Sequence, residues 1–126
     1  MNAVEALRAH RWKRVDRERD LHDQIAEALA AGGVAFAREH RLGPSHRVDF
    51  VVPFESVIGT TPRQLAIEAK IDGPSSWIVR QLQGYAIFDE VAELVLVTTR
   101  QRHGALLPRE LAGKPLTVVY AGGWGA

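Results

Sequence analysis

The chain has 126 residues, about one ordinary domain, and its 46% apolar and 25% charged residues read as soluble and globular with one core. Its apolar runs are too short to span a bilayer, so no membrane partner is expected. The charged N-terminus "MNAVEALRAHRWKRVDRERD" does not read as a secretory signal and points to a cytoplasmic protein, and the absence of cysteine excludes disulfides and thiolate zinc sites.

Net charge is only +1, yet Arg8, Arg11, Lys13, Arg14, Arg17 and Arg19 crowd residues 8–19 against Asp16 and Glu18 alone. Arginine is the cation best shaped for phosphate. Two readings stay open: a solvated helix face, or a basic N-terminal arm over residues 1–15 in which Arg11, Lys13 and Arg14 lie along a nucleic-acid backbone.

From about Asp16 to Ala31, Leu21, Ile25, Ala28 and Leu29 recur at helical spacing, and Gly32-Gly33 ends the helix. "VAFAREHRL" (34–42) and "HRVDFVV" (46–52) are strand-like around "GPS", which predicts a hairpin. A loop containing Pro53, Gly59 and Pro62 leads to a third strand, "LAIEAKI" (65–71). "DGP" breaks the chain, and Ser75 or Ser76 is the expected cap of a helix running to about Asp89. "ELVLVTT" (93–99) is an apolar strand of the kind buried on both faces, followed by a helical turn near 108–111 and a last strand, "LTVVYA" (116–121). Residues 122–126 form a loose tail, with Trp124 able to fold back. No repeat or linker divides the chain, so residues 1–126 are one domain. The order α-β-β-β-α-β plus a closing strand predicts an α/β fold with a mixed central sheet flanked by helices.

A charged pair interrupts the third strand. Residues two apart in a strand share a face, so Leu65, Ile67, Ala69 and Ile71 line one side while Glu68 and Lys70 line the other. If the second and third strands are neighbours, Asp49 converges on Glu68 with Lys70 beside them. Two carboxylates in a partly buried place are costly unless a cation compensates them. Hard oxygen ligands with open positions suit Mg²⁺, which keeps several waters and binds substrate phosphates. That is the chemistry of phosphodiester hydrolysis, with the lysine positioning the attacking water. Taken singly, each residue reads more readily as an ordinary strand-edge position, Glu68 and Lys70 facing solvent and Asp49 pairing an arginine; the joint pattern reverses this in favour of the site.

The pattern "RVDF…IEAK…QLQGY" resembles the PD-(D/E)xK nuclease superfamily over roughly residues 16–99. The resemblance implies a restriction-endonuclease-like fold with an αβββαβ core, similar to RecB-type nuclease domains and Holliday junction resolvases. The superfamily's aspartate falls on Asp49, preceded here by valine where the name-giving motif has proline, and its Glu-x-Lys falls on Glu68 and Lys70. "QLQGY" is similar to the Gln-x-x-x-Tyr motif of RecB-type domains, placing Gln81 and Tyr85 one turn apart. Trp77, Gln81, Tyr85 and Phe88 also form the i, i+4 stripe of an ordinary packed helix. Tyr85 suits either role, and Gln81 reads better as a site residue.

The resemblance also implies a glutamate from the first helix. Glu18 shares the Leu21/Ile25/Leu29 face, whereas Glu27 lies opposite. A helix packed back along the first strand, about 26 Å at ~3.3 Å per residue, needs about fifteen residues, which counts back from Gly33 to residue 18. Glu18 is therefore the expected additional ligand, and His22, one turn on, a phosphate contact.

The expected protein is a Mg²⁺-dependent deoxyribonuclease, Mn²⁺ substituting. Asp49 and Glu68 would hold the metal with the carbonyl of Ala69 and with Glu18, Lys70 would position the water, and Gln81 would support it. Arg47, Arg80, Tyr85 and His22 join the N-terminal basic residues as nucleic-acid contacts. RNA is an alternative substrate. The small size favours an endonuclease reading DNA structure, as a homodimer or with a helicase or other DNA-processing partner. The rival reading is a non-catalytic nucleic-acid-binding or assembly module that keeps the fold.

Overall fold

A computed structural model describes residues 1–54 and 62–122. The expected loop around Gly59 and the tail from residue 123, including Trp124, lie outside the described residues. The chain forms α1 (Ala3–Ala9), α2 (Glu18–Ala31), β1 (Ala37–Arg41), β2 (Arg47–Pro53), β3 (Gln64–Lys70), α3 (Ser75–Ala86), β4 (Val91–Thr98), α4 (Gln101–Ala105), β5 (Glu110–Leu111) and β6 (Lys114–Tyr120). Six strands make one mixed sheet in the order β1-β2-β3-β4-β6-β5. β1, β2 and β3 are antiparallel neighbours, whereas β3, β4 and β6 run parallel, as the crossover through α3 requires.

Helices cover both faces of the sheet. On one, Leu21, Ile25, Ala28 and Leu29 of α2 pack on Phe50, Leu65, Ile67, Ala69, Val95 and Val97. On the other, Ile78, Leu82, Tyr85 and Ala86 of α3 pack on Val48, Val51, Ala66, Leu94 and Leu96. β4 serves both layers, which explains its unbroken apolar run. No helix among the described residues is long and apolar enough to cross a membrane.

The first fifteen residues are not a free arm. Asn2 and Glu5 form a capping box that starts α1, and Ala3, Ala6 and Leu7 are buried. The segment after α1 is pinned to α2 by the Gln24 carboxamide, which bonds both the N–H and the C=O of Lys13. Trp12 Nε1 donates to the Leu7 carbonyl.

α3 starts at Ser75 without a serine cap. Pro74 holds the extended N-cap position, and the Ser75 hydroxyl donates instead to the Arg102 carbonyl. The helical turn expected near residues 108–111 is replaced by α4 upstream and by a β5–β6 hairpin. Pro108 disfavours helix in the residue before it. Ala112 and Gly113, with φ of 51° and 76°, then make the two-residue turn that pairs Leu111 with Lys114.

Gly32 lets α1 sit against the end of α2: a Cβ there would lie 2.6 Å from the Ala6 Cβ. Its own backbone, φ −83° and ψ 1°, is open to alanine, so the obstacle is steric. Gly32→Ala is expected to cost about 1–3 kcal/mol through overpacking. Urea denaturation checks this, and unchanged stability would show that α1 does not depend on the close approach.

Candidate active site at the parted ends of β2 and β3

The β2–β3 ladder runs from Pro53–Gln64 to Phe50–Ile67 and stops there. Beyond it two backbone amides are satisfied by carboxylates instead of strand carbonyls. The Asp49 N–H donates to Glu68 Oε1 at 3.3 Å, and the Ala69 N–H donates to Asp49 Oδ2 at 2.8 Å. The reciprocal bonds fix both carboxylates at the end of β3 from which the chain turns toward α3.

Glu68 is only 2% exposed. Burial and then the neighbouring Asp49 charge push its pKa up from 4.5 to about 8, against the opposing pull of Lys70. The Lys70 ammonium lies 3.8 Å from Glu68 Oε2 on the same strand face. Tyr85, also 2% exposed, sets its hydroxyl 3.2 Å from Glu68 Oε2 and 3.0 Å from the Arg47 carbonyl, and takes a 2.9 Å bond from Gln81 Nε2. A phenol has one proton, and the Arg47 carbonyl can only accept. All three contacts are satisfied when Tyr85 donates to that carbonyl and a protonated Glu68 donates to Tyr85. Burial, followed by the Glu68 charge, raises the Tyr85 pKa and keeps the phenol neutral.

Asp49 titrates the other way. Burial works to raise its pKa, but the His22 ring and the Ala69 amide outweigh burial and hold it below the ordinary carboxylate value. His22, on the second turn of α2, brings Nε2 to 3.4 Å from Asp49 Oδ2 and its ring edge to Phe50. That contact raises the His22 pKa against burial, and the charges of Asp49 and Glu18 add to it. The approach lacks hydrogen-bond alignment, so Nε2 is a buried polar atom without a hydrogen-bond partner among the described residues.

The structure brings Asp49, Glu68, the Ala69 amide, Lys70, Gln81, Tyr85 and His22 together. Arg47 and Arg80 line a cleft of about 560 Å³ with Lys70, Gln81 and Tyr85. Glu18, expected as a ligand, is the exposed first residue of α2; it shares a shallow depression with Lys70, and the α2 residue in contact with Asp49 is His22. The helix begins at residue 18, so only its second turn is level with Asp49. Glu27 is exposed further along α2.

The N-terminal cations are divided, with Arg17 lining the depression beside Lys70. Arg14 pairs with Asp16 at 3.0 Å, and Arg11 sits with Ala31 and Gly32 at the opposite end of α2. Trp77 is the residue that sequence reasoning misplaced. The buried phase of α3 is Ile78, Leu82, Tyr85 and Ala86, and it turns Trp77 outward to 67% exposure. Fitting the phase to Ile78 and Leu82 instead of to the aromatics separates Trp77 from the core.

Among the described residues, no three histidine, aspartate or glutamate side chains are grouped to cage a metal. Two carboxylates of opposite pKa displacement, one of them buried, nevertheless fit an ion that takes few protein ligands and leaves the rest to water and substrate. Mg²⁺ has that preference. Compared with family models, curated proteins and solved structures, the chain matches none of them.

The displaced pKa of Glu68 makes stability depend on pH in a definite sense. A carboxyl whose folded pKa exceeds its unfolded value contributes stability that is complete below about pH 4.5 and is lost as pH rises through about 8. His22, also raised, adds a loss of the same sign above pH 6.5. Asp49, lowered, contributes stability that is present above pH 3.8 and is lost as pH falls through its folded pKa, outside that window. Metal-free protein is therefore expected to lose stability from pH 4.5 to 8, at up to about 1.4 kcal/mol per pH unit for one proton. Glu68→Gln should flatten that slope, leaving the His22 share. Urea denaturation across the pH series checks it, and an unchanged slope would mean that Glu68 ionises normally.

Proposed function

We propose that the chain is a metal-dependent nuclease of the PD-(D/E)xK type with a restriction-endonuclease-like fold, hydrolysing phosphodiester bonds of DNA. The observation that carries this reading is the convergence of Asp49 with Glu68 and Lys70 where β2 and β3 part. A structural salt bridge needs one acid and one base. Here two acids share a site, and burial together with the Asp49 charge pushes the pKa of the buried one, Glu68, upward.

Asp49 and Glu68 would hold Mg²⁺, with Mn²⁺ able to substitute, and the ion would supply Lewis-acid stabilisation of charge at the phosphoryl group. Glu68 must lose its proton to do so, and Lys70 at 3.8 Å favours the ionised form. Tyr85 and Gln81 hold the Glu68 carboxyl against α3, so they act by positioning it. Lys70, on the same face, donates a hydrogen bond to the attacking water and orients it toward phosphorus. Arg47 and Arg80 bind the flanking phosphates along the cleft. Glu18 stands at the rim of the site, where it adds negative charge near His22.

If Lys70 serves the hydrolytic step, Lys70→Ala should lower turnover by about 10²–10⁴-fold while DNA affinity stays nearly unchanged. The assay uses plasmid, linear, flapped and branched DNA, with RNA alongside, in Mg²⁺ and in Mn²⁺. Weaker binding with an unchanged rate at saturating DNA would make Lys70 a phosphate anchor. Cleavage of no substrate with either ion would favour a non-catalytic nucleic-acid-binding or assembly module. Either ion should also raise the melting temperature of the wild-type protein, more above pH 8 than at pH 6, because proton and metal compete for Glu68. Glu68→Gln should abolish the metal effect, and an equal rise in that variant would place the ion elsewhere.

A further inference from the structure

Trp77 stands in the first turn of α3, two-thirds exposed, in a chain that buries most of its large apolar side chains. A lone exposed aromatic is ordinary, but its position here is not arbitrary. Trp77 lines both the 560 Å³ cleft and the shallow depression on the α2 side, and Lys70 lines both as well. The indole therefore forms a ridge beside the ammonium assigned to the reacting water.

The charges on the two sides of that ridge differ. Lys70 and Asp72 line both; beyond them the cleft side carries Arg47 and Arg80, whereas the depression carries Arg17 and Glu18 with Asp16, which is paired with Arg14. A phosphate backbone is attracted more strongly to the first side than to the second. A strand lying in the cleft thus has its phosphates on the arginines and the indole at the boundary where the cationic surface ends.

The ridge is also held in place. The chain between Lys70 and Trp77 is tied to α4 and its approach by three contacts. His103 Nε2 lies 2.9 Å from the Gly73 carbonyl, and its Nδ1 is bonded to Thr98 Oγ1 at 2.8 Å. Arg100 Nε donates to the Ile71 carbonyl at 3.0 Å, and the Ser75 hydroxyl donates to the Arg102 carbonyl. A stacking surface fixed relative to the reacting groups binds without first being ordered.

We propose that Trp77 is a base-stacking subsite, and that the substrate is nucleic acid with an unpaired nucleotide beside the scissile phosphate: a single strand, flap or fork and not the interior of an intact duplex. This rests on the nuclease reading for the position of the scissile phosphate. The physical reason is that a base can lie flat on an indole only when it has left its own stack, and every base offers such a face. The contact selects strand structure without reading sequence.

The test measures equilibrium binding of the full chain in EDTA, so that cleavage does not enter. The probes are a short oligothymidylate, a blunt duplex of the same length, and single strands carrying one abasic site at successive positions. Trp77→Ala is expected to weaken single-strand binding about five- to hundred-fold and duplex binding less than about twofold. Trp77→Phe should retain most of the affinity, since its ring still stacks. In the wild type one abasic position should lower affinity, and in Trp77→Ala that position should cost nothing further.

Equal losses on single strand and duplex, or no loss on either, would overturn the stacking subsite while leaving the nuclease reading standing. A Trp77→Ala effect confined to self-association in sedimentation would overturn it in favour of a protein contact. Absence of binding to every probe would remove the nuclease reading and the subsite together. Single-strand binding that depends on Trp77 in a protein that cuts nothing would keep the subsite and sink only the catalytic assignment.

Discussion

The site depends on the point at which two neighbouring strands stop bonding to each other. Past Phe50 and Ile67 the amides of Asp49 and Ala69 receive side-chain oxygens in place of main-chain ones. Each carboxylate reaches across to the other strand's amide, so an unsatisfied backbone is avoided only by drawing two like charges together. Glu68 is the more deeply buried, and it carries the consequence as a raised pKa. The imidazole of His22 and the ammonium of Lys70 each approach one of the two carboxylates. The His22 ring, the Lys70 ammonium and the raised pKa of Glu68 all answer the same repulsion between the two carboxyl groups.

Tyr85 joins that electrostatic problem to the packing of the fold. Its ring belongs to the cluster formed by Ile78, Leu82 and Ala86 of α3 against the sheet, and its hydroxyl meets Glu68 and the Arg47 carbonyl. The depth at which α3 sits therefore sets the geometry at the carboxyl. Gly84 contributes to that depth, since a Cβ there would lie 2.9 Å from His46 Nε2, and His46 also meets the Tyr85 ring edge-on. A polar site of this kind keeps its geometry because the apolar layer beneath it has few alternative arrangements.

The central elements were legible because each has a period. Helical spacing marked α2, alternation marked β3, and an unbroken apolar run marked β4. Glu68 and Lys70 were legible from strand parity, and Asp49 joined them on the condition that β2 and β3 are neighbours, whereas Gln81 and Tyr85 entered through the resemblance of "QLQGY" to a known motif. α1 was not, since "AVEALRA" is too short to be helical alone and owes its form to burial of Ala3, Ala6 and Leu7 against α2. β5 was lost for the same reason, being two residues paired through a tight turn. His22 in contact with Asp49, where Glu18 was expected, reflects the height at which α2 crosses the sheet. Periodicity gives the face of a helix but not its axial position. Trp77 was drawn into the core by its aromatic neighbours, although Ile78 and Leu82 alone define the buried phase.

Charge was the least legible property, because a count of arginines does not say which of them are already engaged. Arg14 is paired with Asp16, and Arg100 is committed to Asp72 and the Ile71 carbonyl. Arg38 lies over the Phe50 ring and near Asp23. The cations of residues 8–19 are likewise divided, with Arg11 at the far end of α2 from the carboxylates and Arg17 in the depression beside Lys70. Lining the cleft beside Lys70 are Arg47, two strand positions ahead of Asp49, and Arg80, one helix position ahead of Gln81. In both cases the cation is carried by the element that also carries a site residue, and so its distance from the carboxylates is set by local geometry. A chain of net charge +1 thus presents a cleft in which Arg47, Lys70 and Arg80 outnumber Asp72, and across Trp77 from it a surface where Asp16, Glu18 and Asp72 meet Arg17 and Lys70.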